Sequence, residues 1–168
     1  MFVLGIDPGL TRCGYGVLAR DGAGNFTASA AGTIETDRAT SVDRRLCELA
    51  QSIRELLGQY DPAVVVVERV FFQTNAKTAI GVAQASGIAL SCAAAHGCEV
   101  AQYTSNEVKL AVVGYGSATK TQVQSMVARQ LRLTATPPPD AADALALAMC
   151  HLVGVSMRRA VKLAELPS

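Results

Sequence analysis

The chain has 168 residues; half are hydrophobic, 17% are charged, and the formal net charge is +1. This length suits one domain with a sizeable core, and the composition excludes an intrinsically disordered chain. We expect no membrane span, because no apolar run reaches about 18 residues, and no signal peptide, because the first residues lack a basic region. The five cysteines include no CxxC pair, which predicts a reducing compartment, the cytoplasm.

The first 60 residues predict three strands and one helix. Two of the strands flank a loop at residues 21–25 that contains Gly and Asn, as in a hairpin; the predicted strands are Met1–Ile6, Cys13–Ala19 and Phe26–Thr36. Apolar residues at helical spacing predict a helix over Ser41–Leu57 that Gly58 ends. We expect Val42 on the buried face of this helix and Arg45 on its solvent face.

In the rest of the chain, predicted strands and helices alternate. The sequence AVVVVE at Ala63–Glu68 is typical of a central strand that is covered on both faces. Two capping boxes, Thr104 with Glu107 and Thr119 with Gln122, each mark the start of a helix. The other predicted elements are a helix of small residues over Asn75–Ala95, a strand over Glu99–Tyr103 and a last helix from Asp140 to about Val153.

This order of elements predicts an α/β fold. A meander followed by strand–helix alternation gives a mixed, five-stranded sheet with helices on both faces. We expect one domain over residues 1–155. The basic C-terminal tail, residues 156–168, is expected to be loosely held.

Four acidic residues are the candidates for a catalytic site. Asp7 and Glu68 lie at the ends of predicted buried strands, while Asp140 and Asp143 lie three apart in the first turn of a helix. Oxygen-only ligands suit Mg²⁺ or Mn²⁺, and this number of carboxylates suits two ions about 4 Å apart, as in phosphodiester hydrolysis. Turn, N-cap and helix-dipole roles remain open for the aspartates. Glu68 has no such structural role, because a charge on a central strand costs free energy unless it is compensated.

The charge distribution is compatible with a nucleic-acid partner. Residues 69–139 contain six basic and two acidic residues, and a chain whose four candidate ligands were neutralised by metal would be clearly basic. An ordinary solvated surface explains the same numbers.

Four segments of this chain resemble the RuvC family of crossover (Holliday) junction endodeoxyribonucleases. They are LGIDPGLTRCGYGV at 4–17, VERVF at 67–71, VKLAVVGYG at 108–116 and DAADALA at 140–146. The resemblance extends over about residues 2–151. It implies an RNase H-like fold, a homodimer, and Mg²⁺-dependent paired nicking of a four-way DNA junction that leaves 5′ phosphates and 3′ hydroxyls.

The resemblance also assigns roles to residues. It implies that Asp7, Glu68, Asp140 and Asp143 bind two Mg²⁺ ions, for which Mn²⁺ can substitute, and we expect Asp143 to tolerate substitution better than Asp140. It implies RuvA and RuvB, the branch-migration proteins, as partners, and no membrane partner is expected. The candidate DNA contacts are Arg69, Phe71, Phe72, Lys77, Lys109 and Lys120.

Two other functions remain to be weighed. The first segment is also similar to the phosphate-binding hairpin of actin-like ATPases and sugar kinases, but 168 residues leave no room for their second domain. A module that binds junctions without cutting them would not need four acids.

For a dimer, we predict an interface on one face of the 75–95 helix; the alternative is that this face packs on the sheet. Its residues are Ala79, Ala83, Gly87 and Leu90.

Overall fold

The computed structural model describes residues 1–69 and 76–164, with side chains at 1–69 and 79–156. Within these residues, five strands form one sheet: β1 (Phe2–Asp7), β2 (Arg12–Arg20), β3 (Phe26–Glu35), β4 (Val64–Glu68) and β5 (Glu99–Tyr103). The same described part of the chain contains five helices: α1 (Val42–Tyr60), α2 (Ala76–His96), α3 (Ser105–Val113), α4 (Lys120–Gln130) and α5 (Pro139–Ala164). The predicted order of elements is therefore confirmed.

The sheet is mixed, with strand order β3-β2-β1-β4-β5. β1 and β4 are parallel neighbours at its centre, β5 extends the parallel part, and β2 and β3 add antiparallel strands at the other edge. Because β1, β4 and β5 run in the same direction, their carboxyl ends meet along one edge of the sheet.

Alternate residues of the central strands face two separate hydrophobic clusters. Val64 and Val66 face the cluster that contains residues of α3, α4 and α5. Val65 and Val67 face the other cluster, which contains residues of α1 and α2. Both faces of β4 are thus covered, which explains why its sequence is continuously apolar rather than alternating.

Several details of the predictions are wrong. α1 passes through Gly58 and ends at Tyr60, with Asp61 in the left-handed conformation (φ 42°). Val42 is exposed, whereas Arg45 is buried because it donates hydrogen bonds to two threonine hydroxyls. The last helix continues to Ala164, well beyond the predicted end near Val153. The tail as a separate, loosely held segment stays a prediction.

Helix α2 is apolar along most of its length. Residues Ala79–His96 have a mean hydropathy of 1.3 and are long enough to cross a membrane by length and composition alone. In the fold, one side of this helix packs against the sheet and α1, as a core helix does; the buried residues are Ala85, Ala89, Cys92 and Ala93. The expectation that the protein has no membrane partner stays a prediction.

Candidate active site

The carboxyl ends of β1 and β4 bring Asp7 and Glu68 together. The parallel register pairs Ile6 with Val67, so the two acids that follow are neighbours at the edge of the sheet. Protonated Asp7 donates a hydrogen bond to the Glu68 carboxylate. The sequence order of two apolar strands, each ending in an acid, therefore places two carboxylates in direct contact.

Glycine residues on β1 and β2 allow helix α5 to lie directly on the sheet. A Cβ at Gly14 would clash with the backbone carbonyl of Asp140, and one at Gly5 would clash with that of Ala144. Gly14 is the partner of Asp7 in the antiparallel register of β1 and β2. This close approach holds the first turn of α5 beside Asp7, and it needs glycine because any side chain would push the helix away.

Three of the four predicted acids line one cavity of about 120 Å³: Asp7, Glu68 and Asp143. Burial, reinforced by the charges of Glu68 and Asp143, raises the pKa of Asp7 to about 8. Burial also raises the pKa of Glu68, although the hydrogen bond from Asp7 opposes that effect. The protein thus holds more carboxylates here than it can ionise together at neutral pH.

Two lysines face the same cavity from helices α3 and α4. The Lys120 Nζ lies 3.1 Å from Asp143 Oδ2, and this bond raises the pKa of the lysine. The Lys120 side chain remains 82% exposed, so its ammonium group is accessible to a ligand entering the cavity. Lys109, on α3, also lines the cavity, with part of its side chain exposed. Both helices begin with the predicted capping boxes, which fix where each lysine leaves the backbone.

Asp140 faces a different partner from the other three acids. Its Oδ2 accepts a hydrogen bond of 2.7 Å from Arg12 Nε, and Arg12 Nη1 donates to Glu35 Oε1 at 2.5 Å. The Asp140 side chain is 28% exposed and is not among the residues that line the cavity. The structure therefore brings Asp7, Glu68 and Asp143 together and holds Asp140 beside them.

The donor chemistry of the cavity fits a hard divalent cation. All three acids supply oxygen ligands, and the pKa of Asp7 is raised by burial first and by the charges of Glu68 and Asp143 second. Within residues 1–69 and 76–164, no three His, Cys, Asp or Glu side chains are arranged closely enough to hold a metal ion as they stand. Binding would therefore require the carboxylates to turn toward a common point.

Comparison with known proteins decides the family. Residues 3–151 match the family model described as crossover junction endodeoxyribonuclease RuvC. The RuvC of Leifsonia xyli is 53% identical over 150 residues, 89% of this chain and 72% of that protein; the RuvC of Streptomyces avermitilis is 50% identical over 153 residues, 90% and 87% of the two chains.

The chain belongs to the RuvC family of crossover junction endodeoxyribonucleases. Thermus thermophilus RuvC in complex with a Holliday junction substrate is 34% identical, with a TM-score of 0.87 over 94% of this chain and 96% of that one. The yeast mitochondrial Holliday junction resolvase Ydc2 is 12% identical with a TM-score of 0.69 over 95% of this chain and 82% of that one, a likeness that shows the fold alone. The predicted RNase H-like fold is confirmed.

The remaining DNA-contact residues predicted from the RuvC resemblance are less well placed. Arg69 is exposed, with its Nη2 3.5 Å from the Gln102 carbonyl oxygen, and it does not line the cavity. Lys77 lies in the first turn of α2, where the structure describes the backbone only. Phe71 and Phe72 lie outside the described residues.

Sequence reasoning about this RuvC-family chain missed two arginines near the site. Arg12 holds Asp140, and buried Arg45 bonds the hydroxyls of Thr11 and Thr36, next to the turn between β1 and β2. Arg12 had a usable signal, since it directly precedes the predicted strand Cys13–Ala19 and is a basic residue close in sequence to Asp7. Arg45 had none, because helical spacing places it among the polar residues of α1.

Proposed function

We propose that this protein resolves four-way DNA junctions by metal-dependent hydrolysis at the cavity formed by Asp7, Glu68 and Asp143. The observation that carries the proposal is the convergence of these acids, from β1, β4 and α5, on a cavity that Lys109 and Lys120 also line. RuvC-family nucleases depend on a metal ion. We infer Mg²⁺, with Mn²⁺ as a substitute, because every donor in the cavity is a carboxylate oxygen.

In this proposal, the acids bind cations and the lysines bind phosphate. Bound Mg²⁺ would supply a Lewis acid and lower the pKa of a water molecule, which suits in-line attack on phosphorus. The charges of both Glu68 and Asp143 act on Asp7, so it is the residue best placed to contribute to two ions. It must release its proton when a cation binds. Lys109 and Lys120 would stabilise the negative charge that accumulates on the phosphate.

The geometry reverses the expected ranking of the two α5 aspartates. Asp140 was expected to be the more sensitive to substitution, because it occupies the better-capped position of the helix. Asp143 instead lines the cavity with Asp7 and Glu68, whereas Asp140 does not line it and bonds Arg12. We therefore infer that Asp143→Asn reduces cleavage at least as strongly as Asp140→Asn.

The test is cleavage of a synthetic four-way junction by single-carboxylate variants. Asp7→Asn, Glu68→Gln and Asp143→Asn should each reduce cleavage at least about 100-fold, as expected for loss of a group that stabilises the transition state. Junction binding should remain or become tighter, because each change removes a charge that repels phosphate. Glu99→Gln, at the opposite end of the sheet, is the matched control and should cleave normally.

Near-normal cleavage by any one of these three variants would remove that residue from the proposed site. The same experiment, run with a linear duplex and with ATP, also separates the other two functions. ATP hydrolysis would support a kinase-like or ATPase activity, and a mobility shift without Mg²⁺-dependent nicking would support a binding module. Symmetric nicks confined to the junction support the proposal.

We further propose that the protein acts as a homodimer. A four-way junction has approximate two-fold symmetry, and two opposed nicks require two active sites, which a C₂ dimer provides. On α2, the predicted interface residues Ala79, Ala83 and Leu90 are only partly buried, and Gly87 is exposed with open space around it. The helix packs on the sheet and α1 mainly through Ala85, Ala89 and Ala93. Leu90 also packs against that core, so a second copy would meet chiefly Ala79, Ala83 and Gly87.

A bulky residue at Gly87 tests the interface. Gly87→Trp should shift the protein from dimer to monomer in sedimentation experiments and should convert linearisation of a cruciform plasmid into single, uncoupled nicks. Gly58→Trp is the matched control, because Gly58 is an exposed helical glycine with equally open surroundings on α1. A folded Gly87→Trp variant that stays dimeric would place the interface elsewhere.

Other proposals concern DNA binding and cellular context. Junction affinity should fall steeply with salt concentration, because lysine and arginine contacts release counterions from the DNA backbone. Phe71→Ala should reduce cleavage more than affinity if Phe71 stacks on a base at the crossover. Family membership further suggests RuvA and RuvB as partners and the cytoplasm as the location.

A further inference from the structure

The Arg12 guanidinium lies between two carboxylates, those of Asp140 and Glu35. Its Nε is 2.7 Å from Asp140 Oδ2, and its Nη1 is 2.5 Å from Glu35 Oε1. Both distances are short, as in charge-assisted hydrogen bonds. Arg12 and Glu35 are also direct cross-strand partners in the β2–β3 ladder. The arginine is therefore fixed at two points, by the sheet on one side and by α5 on the other.

The Asp140 backbone is fixed independently of Arg12. Its carbonyl packs against Gly14 so closely that a Cβ there would clash. With the backbone held, only the side-chain torsions of Asp140 remain free, and the Arg12 bond fixes those. The bond engages Oδ2, so Oδ1 is the atom through which Asp140 would reach a cation. Carboxylates that bind metals are commonly oriented by such hydrogen bonds from outside the ligand set.

We propose that Arg12, itself oriented by Glu35, is a positioning residue that holds the Asp140 carboxylate for metal binding. This inference rests on the proposed function, because it concerns the same centre. According to this inference, β2 and β3, which supply none of the proposed ligands, determine the orientation of the Asp140 carboxylate.

The direction of the effect distinguishes this role from two simpler ones. A guanidinium so close to the site repels a divalent cation, so if its charge were all that mattered, removing it would tighten metal binding. If Arg12 only contacted DNA phosphate, its removal would weaken junction binding and leave metal binding unchanged. A positioning role predicts weaker metal binding despite the loss of a positive charge.

The experiment measures Mn²⁺ affinity by electron paramagnetic resonance, without DNA, and the Mg²⁺ concentration for half-maximal junction cleavage. Arg12→Gln should lower the Mn²⁺ affinity and raise the half-maximal Mg²⁺ concentration, each by about 10- to 100-fold. Arg12→Lys keeps the positive charge but lacks the planar guanidinium group, so its loss of metal affinity should be smaller. Glu35→Gln should have a smaller effect of the same sign. The matched control is Arg38→Gln, because Arg38 is an exposed arginine that lines the same surface groove as Arg12.

A second background makes the test specific to Asp140. In Asp140→Asn protein, Arg12→Gln should cause no further loss of Mn²⁺ affinity, because the carboxylate that it positions is gone. Unfolding curves in EDTA check that each variant is folded. High Mg²⁺ should restore cleavage by Arg12→Gln, since the defect lies in metal affinity.

Three results would overturn the proposal: tighter or unchanged Mn²⁺ binding by Arg12→Gln, an equal loss in the Asp140→Asn background, or an equal loss in Arg38→Gln. Failure of the proposed function has a different signature. In that case the parent protein itself shows no metal-dependent junction cleavage, and Asp7→Asn leaves Mn²⁺ binding unchanged.

Discussion

Replacing Asp7 by Asn should stabilise the metal-free protein at neutral pH while it abolishes cleavage. Burial raises the pKa of Asp7 from 3.8 to about 8, with the charges of Glu68 and Asp143 acting in the same direction. Between these two pH values, the folded state holds a proton that the unfolded state has released. The contribution of Asp7 to stability is therefore fully present below about pH 4 and is lost as the pH rises toward 8.

The size of the effect follows from proton linkage. One additional proton bound by the folded state changes the free energy of unfolding by about 1.4 kcal/mol per pH unit. In Asp7→Asn this contribution is absent, and the new amide can still donate a hydrogen bond to Glu68. The stability of the variant relative to the parent should therefore rise by about 3 kcal/mol between pH 5 and pH 7. Above pH 8 the difference should level off.

Urea unfolding in EDTA, followed by circular dichroism at pH 5, 6, 7 and 8, measures this difference. Glu99→Gln is the control, since it removes an exposed carboxylate at the opposite end of the sheet and should follow the parent. Saturating Mg²⁺ should reverse the order of stability, because it binds and stabilises the parent protein. If the parent and Asp7→Asn show the same pH dependence in EDTA, burial and the neighbouring carboxylates do not raise the pKa of Asp7.

Three further predictions concern the site and its supports. Gly14→Ala should destabilise the protein by about 1–3 kcal/mol and reduce cleavage, because the added Cβ meets α5. Gly22→Ala, which lies in open space, is the control and should do neither. Thermal melts and nicking assays measure the two effects. Arg45→Leu should cost about 2–4 kcal/mol in chemical unfolding, since it leaves the Thr11 and Thr36 hydroxyls without their buried donor. Mg²⁺ binding at pH 7 should release close to one proton from Asp7, detectable by calorimetry in buffers of different ionisation enthalpy, and no release would contradict its raised pKa.

The sequence alone determined the kind and order of the secondary-structure elements. These depend on local patterns: the continuous apolar run that ends at Glu68, the helical spacing in α1, and the Thr104 and Thr119 capping boxes, all of which the structure contains. It also singled out Asp7 and Glu68 as candidate site residues, because each lies at the end of a buried strand.

Contacts between elements that are distant in sequence required the tertiary structure. Arg45 is buried where two threonine hydroxyls accept its hydrogen bonds. Asp143 lines the cavity whereas Asp140 bonds Arg12, which depends on how α5 packs against β2. Helical spacing puts both aspartates on one face but does not say which of them points at Asp7.

The Arg12–Glu35 pair shows most clearly what cannot be predicted from the sequence. Near the hairpin loop, Leu18 pairs with Ala28, and that register continued outward would place Arg12 opposite Ile34. The register shifts by one residue between Val17 and Leu18, so Arg12 meets Glu35 instead. A bulge of one residue reverses which face of the sheet each later side chain meets, and its position is decided by packing rather than by local preference.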